Sequence, residues 1–125
     1  MKAKRGDLVV VTRHHTDYTI GQGTREYELS KLGIVARITR DGLVKYVRVP
    51  FSQEDDNPRE QTVDTARERC LLVPQSDVDI AAVMTAYKAR GWNGTTQIRP
   101  FDSIADARAF VRPFLKSRER GQVAS

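Results

Sequence analysis

The side chains best suited to bind a ligand are a tyrosine and several basic residues in the first half of the chain. Arg37, Tyr46 and Arg48 lie in two β-rich runs on either side of Asp41-Gly42, so a hairpin would place all three on one face. Guanidinium groups clamp phosphates, and a tyrosine ring can stack on a nucleobase. The same residues would also suit an ordinary cross-strand pair with no ligand. Together with basic residues of the neighbouring first strand, the candidate nucleic-acid-binding residues are Lys4, Arg5, Arg13, Arg37, Tyr46 and Arg48.

Two histidines and the single cysteine have simpler explanations than metal binding or catalysis. His14 and His15 are adjacent at a strand end, where successive side chains point to opposite sides, and the sequence has no third histidine. We expect a polar loop edge there, with contact between an imidazole and a phosphate or base as the alternative. Cys70 opens an apolar run, where a buried thiol usually serves only for packing. We therefore predict no bound metal ion and no cysteine nucleophile.

A glycine-rich segment and the acidic pairs also give no indication of an enzyme. Residues 21–24, Gly-Gln-Gly-Thr, lack the Gly-Lys-Ser/Thr ending and the following helix of a phosphate-binding loop, so we expect a flexible turn. Asp55 and Asp56 lie in an acidic loop with no apolar neighbours to desolvate them. Asp77 and Asp79 stand at the start of a predicted helix, where capping explains them. The sequence therefore predicts a non-enzymatic protein that needs no cofactor.

The charge is uneven along the 125 residues of the chain. Lysine and arginine total 21 against 16 acidic residues, which gives a net charge of +5. Residues 1–50 hold ten basic and five acidic side chains, residues 51–73 hold three and six, and residues 74–125 hold eight and five. A basic first half attracts phosphate groups at low salt, although a merely solvated basic surface would have the same composition.

Length and hydropathy limit the class of protein. A chain of 125 residues suits one compact domain or two small lobes. No apolar run approaches the roughly 18 residues of a membrane span, and the first five residues lead into polar Gly6-Asp7 instead of a signal sequence. One cysteine excludes an internal disulfide. We therefore expect a cytoplasmic protein that does not contact a membrane.

The strongest local signal is a hairpin that turns at Asp41-Gly42. Asp-Gly favours a type I′ turn, and a turn of two residues fixes the register of both strands. On the expected core face, the predicted pairs are Ile38 with Lys45, Ala36 with Val47 and Ile34 with Val49. On the outer face, they are Thr39 with Val44, Arg37 with Tyr46 and Val35 with Arg48. This register would bracket the tyrosine ring with two guanidinium groups.

Other segments of the first half predict shorter elements. Residues 8–12 form an apolar, β-branched run that predicts a strand, and residues 70–73 form a second one that would pair with it. Residues 13–25 are polar and contain two glycines, which predicts a long loop or a flexible hairpin tip. Residues 25–29 alternate charged and apolar side chains, which predicts a half-buried strand. Residues 52–69 predict an acidic surface loop.

After Pro74 the spacing of apolar residues changes to that of helices. Apolar residues at positions 80, 83, 84 and 87 share one face of a helix predicted over 77–90, and a second apolar stripe predicts a helix over 103–115. Ser103 with Asp106 resembles a capping box, and Pro113 should kink or end the second helix. A short strand is predicted between the helices at residues 95–99.

Two short motifs in the first half are typical of one family of small barrels. They are Lys4-Arg5-Gly6-Asp7-Leu8-Val9-Val10, with Gly-Asp before an apolar strand, and Gly33-Ile34-Val35-Ala36-Arg37-Ile38 followed by Asp41-Gly42. Over residues 4–73 the chain thereby resembles SH3-like barrels of the KOW or Tudor type. Such proteins bind nucleic acid, ribosomal or transcription components, or peptides, so the resemblance does not choose among these ligands.

Together these signals predict an α+β fold and leave three functions open. The fold would be a small SH3-like antiparallel β-barrel at 1–74, followed by a helical segment at 75–125 packed on the barrel or on a partner. The first hypothesis is a non-enzymatic accessory protein that binds DNA or RNA. The second is a protein-interaction module or homodimer that docks through helices 77–90 and 103–115. The third is a small-ligand site between the barrel and the helices.

Overall fold

A computed structural model describes residues 3–73, 78–92 and 94–115 of the chain. It confirms an α+β protein, in which a five-stranded antiparallel sheet precedes two helices. The strands are β1 Leu8–Thr19, β2 Gly23–Ile38, β3 Val44–Arg48, β4 Glu60–Thr62 and β5 Glu68–Leu72, in the spatial order β4-β3-β2-β1-β5. The remaining elements are helix α1 Ile80–Lys88, a two-stranded ribbon of β6 Gly91–Trp92 and β7 Thr95–Ile98, helix α2 Ile104–Val111, and a 3₁₀ turn at Arg112–Phe114.

The first hairpin is much longer than the sequence predicted. β1 pairs with β2 along its whole length, from Leu8 opposite Ile34 to Thr19 opposite Gly23. Of the two alternatives predicted for residues 13–25, the long loop is wrong, and the segment is the end of a hairpin whose strands extend almost to its tip. A polar composition does not prevent strand pairing when the residues alternate and include threonine and tyrosine. Only the tip turns, where Gly21 and Gly23 adopt positive φ angles of 87° and 82°.

Alternation along these strands produces two cores, one on each face of the sheet. The helix-side core joins strand residues to both helices and includes Leu8, Val10, Leu32, Val83, Tyr87, Phe101, Ala107 and Val111. The inner core lies on the other face and consists of Ala3, Val9, Val11, Val35, Val47 and Val49. Both apolar helix stripes are therefore packed within this chain. No helix in the described part of the chain is long and apolar enough to cross a membrane.

The second hairpin forms around Asp41-Gly42, but its predicted register is wrong. The Gly42 N–H donates to the Thr39 carbonyl at 3.0 Å, and Gly42 has a φ of 85°, so the loop contains three residues instead of two. Val35 consequently lies opposite Val47, and Ile34 lies opposite Arg48. Register shifts on either side of Arg37 then restore the predicted pair of Arg37 with Tyr46.

The two edge strands come from the segments that follow this hairpin. β5 pairs with β1, with Cys70 opposite Val11, as predicted for residues 70–73. The segment predicted as an acidic loop contains β4, which pairs with β3 and places Glu60 opposite Arg48. This short strand was not predicted because its three residues, Glu-Gln-Thr, carry no apolar signal.

Each helix begins at a side-chain cap. The Asp79 carboxylate accepts from the Ala82 N–H at 3.2 Å, so α1 starts at Ile80 and the predicted start at residue 77 lies outside the described residues. The Ser103 hydroxyl accepts from the Asp106 N–H at 3.1 Å, which confirms the predicted cap of α2. α2 ends at Val111 and continues as a 3₁₀ turn that contains Pro113, as the proline predicted.

Gly33 provides a test of how tightly β2 and β3 pack. A Cβ atom at this position would lie 2.7 Å from Val49 Cγ2 and 3.2 Å from the Arg48 carbonyl oxygen. We expect Gly33→Ala to lower the free energy of unfolding by about 1–3 kcal/mol, because a close-packed strand pair must separate to admit the methyl group. Urea denaturation followed by circular dichroism measures the change.

Gly91→Ala is the matched control for this substitution. A Cβ atom at Gly91 would meet only ordinary contacts at 3.6 Å, to Gln53 Nε2 and to the Thr95 carbonyl oxygen. It should change the free energy of unfolding by less than about 0.5 kcal/mol. Equal effects of the two substitutions would contradict the close approach of Val49 to β2.

Candidate functional site

Three of the six predicted binding residues converge at one place on the protein surface. Arg5, Arg37 and Arg48, here called the arginine patch, line a surface cavity of about 470 Å³. Arg5 precedes β1, Arg37 lies near the end of β2, and Arg48 ends β3. The hydrogen bond from the Gly6 N–H to the Val35 carbonyl, at 2.8 Å, fixes the segment before β1 beside β2. Backbone pairing therefore places these three residues around one cavity.

Tyr46 lies beside the arginine patch and contacts one of its arginines. The Cζ atom of Arg37 is 5.4 Å from the centre of the Tyr46 ring, and Lys45 Nζ is 5.8 Å from it. These are cation–π distances. The bracketing of the ring by Arg37 and Arg48, which the predicted register required, is wrong because Arg48 lies opposite Ile34 and turns toward another partner. The ring itself is half-buried.

A single carboxylate, Glu60, holds two arginines of the patch. Arg37 Nε lies 3.1 Å from Glu60 Oε2, and Arg48 Nη2 lies 3.3 Å from Glu60 Oε1. Arg48 Nη1 also donates to the Pro58 carbonyl at 2.6 Å. These contacts orient the guanidinium groups, but one negative charge does not balance the three positive charges of the patch. Sequence reasoning missed Glu60 because its segment predicted a loop with no fixed position.

The structure places the other two predicted basic residues differently. Lys4 is exposed next to Arg5, and its backbone N–H donates to Asp7 Oδ2 at 2.7 Å. Arg13 lies on β1 away from the arginine patch, and its Nη1 atom is 3.6 Å from Glu68 Oε2. The predicted binding residues therefore do not form one continuous surface.

Arg13 belongs to a second group of side chains, which we call the ribbon groove. Its walls are formed by Arg13 and His15 on β1 and by Tyr27 and Lys31 on β2, around a cavity of about 400 Å³. Sequence reasoning missed Tyr27 and Lys31. The strand predicted over residues 25–29 is confirmed as part of β2, but the segment that pairs with it was predicted as a loop or a flexible hairpin tip, so no groove was expected there.

A third cavity, of about 370 Å³, lies between β5 and α2. Its walls include Leu72, Val111 and Leu115, with Arg108 and Arg112 four residues apart on the helical side. This is the region where the sequence left a small-ligand site open. That hypothesis remains a prediction.

Other residues weighed as chemical groups have structural partners. His14 lies 3.6 Å from Glu26 on one side of the hairpin, while His15 stacks on Tyr27 on the other. Lys88 Nζ lies 2.7 Å from Asp56, and this contact lowers the pKa of the Asp56 carboxyl. Within the described ranges, no three histidine, cysteine, aspartate or glutamate side chains form a group that could hold a metal ion.

Cys70 is half-buried on β5. Burial raises the pKa of its thiol to about 11, and the nearby negative charge of Glu68 adds to the effect. The thiolate, which is the nucleophilic form, is therefore scarce near neutral pH.

Comparisons with family models, curated proteins and solved structures assign no function to the chain. No family model matches it, and no curated protein or solved structure is significantly similar to it. Its function must therefore be inferred from the geometry of its own side chains.

Alkylation tests the state of the Cys70 thiol directly, because the sequence contains one cysteine. In the native protein, the rate of reaction with iodoacetamide should keep rising until the pH reaches about 11, the pKa of the thiol. In urea it should level off near the ordinary thiol pKa of 9.0. At pH 8 the native rate should be about a hundredfold lower, since each pKa unit changes the thiolate fraction about tenfold. Equal rates at pH 8 would show that folding does not raise the pKa of this thiol, and a faster native rate would show an activated cysteine.

Proposed function

We propose that this protein binds nucleic acid without catalysing a reaction, and that the arginine patch contacts the phosphate backbone. The observation that supports this most directly is the convergence of Arg5, Arg37 and Arg48 on one surface cavity, where Glu60 is the shared counterion of Arg37 and Arg48. Guanidinium groups bind phosphate through two parallel hydrogen bonds, so three of them suit successive phosphates of a polyanion.

Tyr46 adds a flat group at the edge of this surface. A half-exposed ring beside a guanidinium group can stack on an unpaired base while the arginines contact the backbone. Lys45 is exposed on the other side of the ring and adds a further positive charge. The combination favours a single strand, or an unpaired part of a duplex, over a fully paired helix.

The order and pairing of the strands support the SH3-like barrel that the sequence motifs predict. Strands β1 to β4 pair with one another in chain order as antiparallel neighbours, and β5 returns to pair with β1 on its other side. Val9, Val35 and Val47 are almost completely buried on the face opposite the helices. A strongly curled sheet would bury them in this way, because its own strands would cover its inner face.

The arginine patch can be tested by the salt dependence of binding. Labelled single-stranded DNA, single-stranded RNA and duplex DNA are titrated at several salt concentrations and followed by fluorescence anisotropy. Arg37→Gln and Arg48→Gln should each weaken binding about 3–10-fold and reduce the slope of log K against log salt by about 0.7–0.9, because each removes one phosphate contact.

Arg108→Gln on α2 is the matched control for these two variants. It makes the same change of charge on an exposed residue distant in sequence from the patch. It should leave both affinity and slope within error of the unmodified protein. Absence of binding at 50 mM salt, or equal effects of all three variants, would contradict the proposal.

For Glu60→Gln we expect the opposite effect, which is a higher affinity for nucleic acid. Removing this carboxylate frees Arg37 and Arg48 for phosphate and removes a repulsive charge, so affinity should rise about fivefold, which corresponds to about 1 kcal/mol for one charge in water. The same titration measures the change. Glu28→Gln is its control, since Glu28 also pairs with an arginine, Arg69 at 2.8 Å, and should not tighten binding to the same extent. Weaker binding by Glu60→Gln would show that the patch depends on Glu60 for its shape.

A further inference from the structure

The long β1–β2 hairpin separates its charges between its two faces. Directly opposite residues of paired strands share a face, so Arg13 lies with Leu29, His15 with Tyr27, and Val11 with Lys31. The other face carries Glu26 and Glu28, opposite Thr16 and His14. Of the hairpin's charged side chains, the groove face therefore carries Arg13, Arg25 and Lys31 with one acid, Asp17, whereas the reverse face carries Glu26 and Glu28. The ribbon groove thus lies on the more basic face of the hairpin.

The rings in the groove form an ordered row. The centres of the His15 and Tyr27 rings are 5.2 Å apart, and their planes differ by 10°. Arg25 Cζ lies 5.1 Å from the centre of the Tyr27 ring. A side-chain hydrogen bond to Asp17, together with burial, raises the pKa of Tyr27, so the hydroxyl stays protonated. Flat groups already held parallel lose little freedom when another flat group stacks on them.

The groove also has the size and polarity of a small-molecule site. Its cavity of about 400 Å³ lies within the range of about 300–1,000 Å³ that such sites occupy. The groove is lined on its inner side by Val11, Val47 and Val49 of the inner core. It is also lined by the side-chain amide of Gln61 and the hydroxyl of Thr62, which can hydrogen-bond to the edge of a base. Among the described residues that line the groove, the one acidic side chain is Glu68, whose Oε2 atom lies 3.6 Å from Arg13 Nη1.

We propose that the ribbon groove binds a nucleotide unit, with the flat base against the His15–Tyr27 row and the phosphate between Arg13 and Lys31. The unit is either a free nucleotide or one residue of a single strand, since both present the same base and phosphate. This site is distinct from the arginine patch. Arg48 lies opposite Ile34, which packs against the helix-side core, whereas the groove continues the inner core on the other face.

Nuclear magnetic resonance of the ¹⁵N-labelled full chain tests the site. The protein is titrated separately with UMP, with AMP and with an oligonucleotide of eight thymidines, and the backbone amides of β1 and β2 are followed. Shifts at residues 13–15 and 27–31 with a mononucleotide support a free-nucleotide site. Shifts with the oligonucleotide alone support a strand site.

Variants at Tyr27 separate stacking from hydrogen bonding. Tyr27→Leu removes the ring and should lower the affinity for the nucleotide ligand about tenfold. Tyr27→Phe keeps the ring, and its affinity should lie within about twofold of that of the unmodified protein. Arg13→Gln should weaken binding and reduce its salt dependence. Tyr18→Leu is the control, because Tyr18 is 73% exposed on the reverse face of the same hairpin.

The results also distinguish this site from the arginine patch. Weaker oligonucleotide binding by Arg37→Gln and Arg48→Gln, with mononucleotide shifts retained at Tyr27, would support both sites independently. No shift at residues 13–15 and 27–31 with any of the three ligands would overturn the groove and leave the patch standing. Equal effects of Tyr27→Leu and Tyr18→Leu would overturn it as well.

Discussion

The pairing of β1 with β2 is the constraint on which the rest of the structure depends. This pairing extends over all 12 residues of β1 without a register shift, and it therefore places every side chain of β1 on one of the two faces of the sheet. At its centre, the buried Thr12 and Ser30 hydroxyls lie 2.9 Å apart, and neither side chain is more than 1% exposed. The backbone of Ser30 also exchanges two hydrogen bonds with Phe101, at 2.8 and 2.7 Å, so the same point attaches the C-terminal half to the sheet. If β1 slipped by one residue relative to β2, its side chains in each core and each candidate site would move to the opposite face of the sheet.

Sequence reasoning recovered the elements of the fold better than their register. The apolar runs, the Asp41-Gly42 turn, the Ser103 cap and the end of α2 near Pro113 are local signals, and each is present in the structure. The length of the turn is different, because Asp-Gly fits both a two-residue loop and a three-residue loop that ends in a glycine of positive φ. The protein adopts the longer loop, and Val35, predicted on the outer face, joins the inner core. Nothing local distinguishes the two arrangements, since packing across the finished sheet decides between them.

The candidate site was predictable in residue type but not in grouping. Arginine, lysine and tyrosine at alternating positions indicated an anion-binding surface, and Arg5, Arg37 and Arg48 do lie together. Arg13 does not lie with these three arginines, although β1 directly follows Arg5 in the chain. The neighbours of Arg13 depend on how the polar second half of β1 pairs with β2. Glu60 reaches the patch only through β4, a strand of three residues with no apolar pattern. Contacts between residues distant in the chain thus decided which charges meet, and single-sequence patterns carry little information on such contacts.

Pairing with acids explains how these cations can be ordered and still be open to a ligand. Arg37 and Arg48 in the patch contact Glu60, and Arg13 in the groove contacts Glu68. Partly exposed ion pairs of this kind contribute only about 0–1 kcal/mol each, so a stronger anion can replace the carboxylate at little cost. The side chains are meanwhile held near one geometry, and less conformational entropy is lost when the anion arrives. Glu60 already meets two guanidinium groups at once, so under the proposed function a phosphate would gain over it only through the further phosphates of the same polyanion, which would reach Arg5 as well. On that proposal, the arrangement would favour polyanions over the small carboxylic acids that compete for the same arginines.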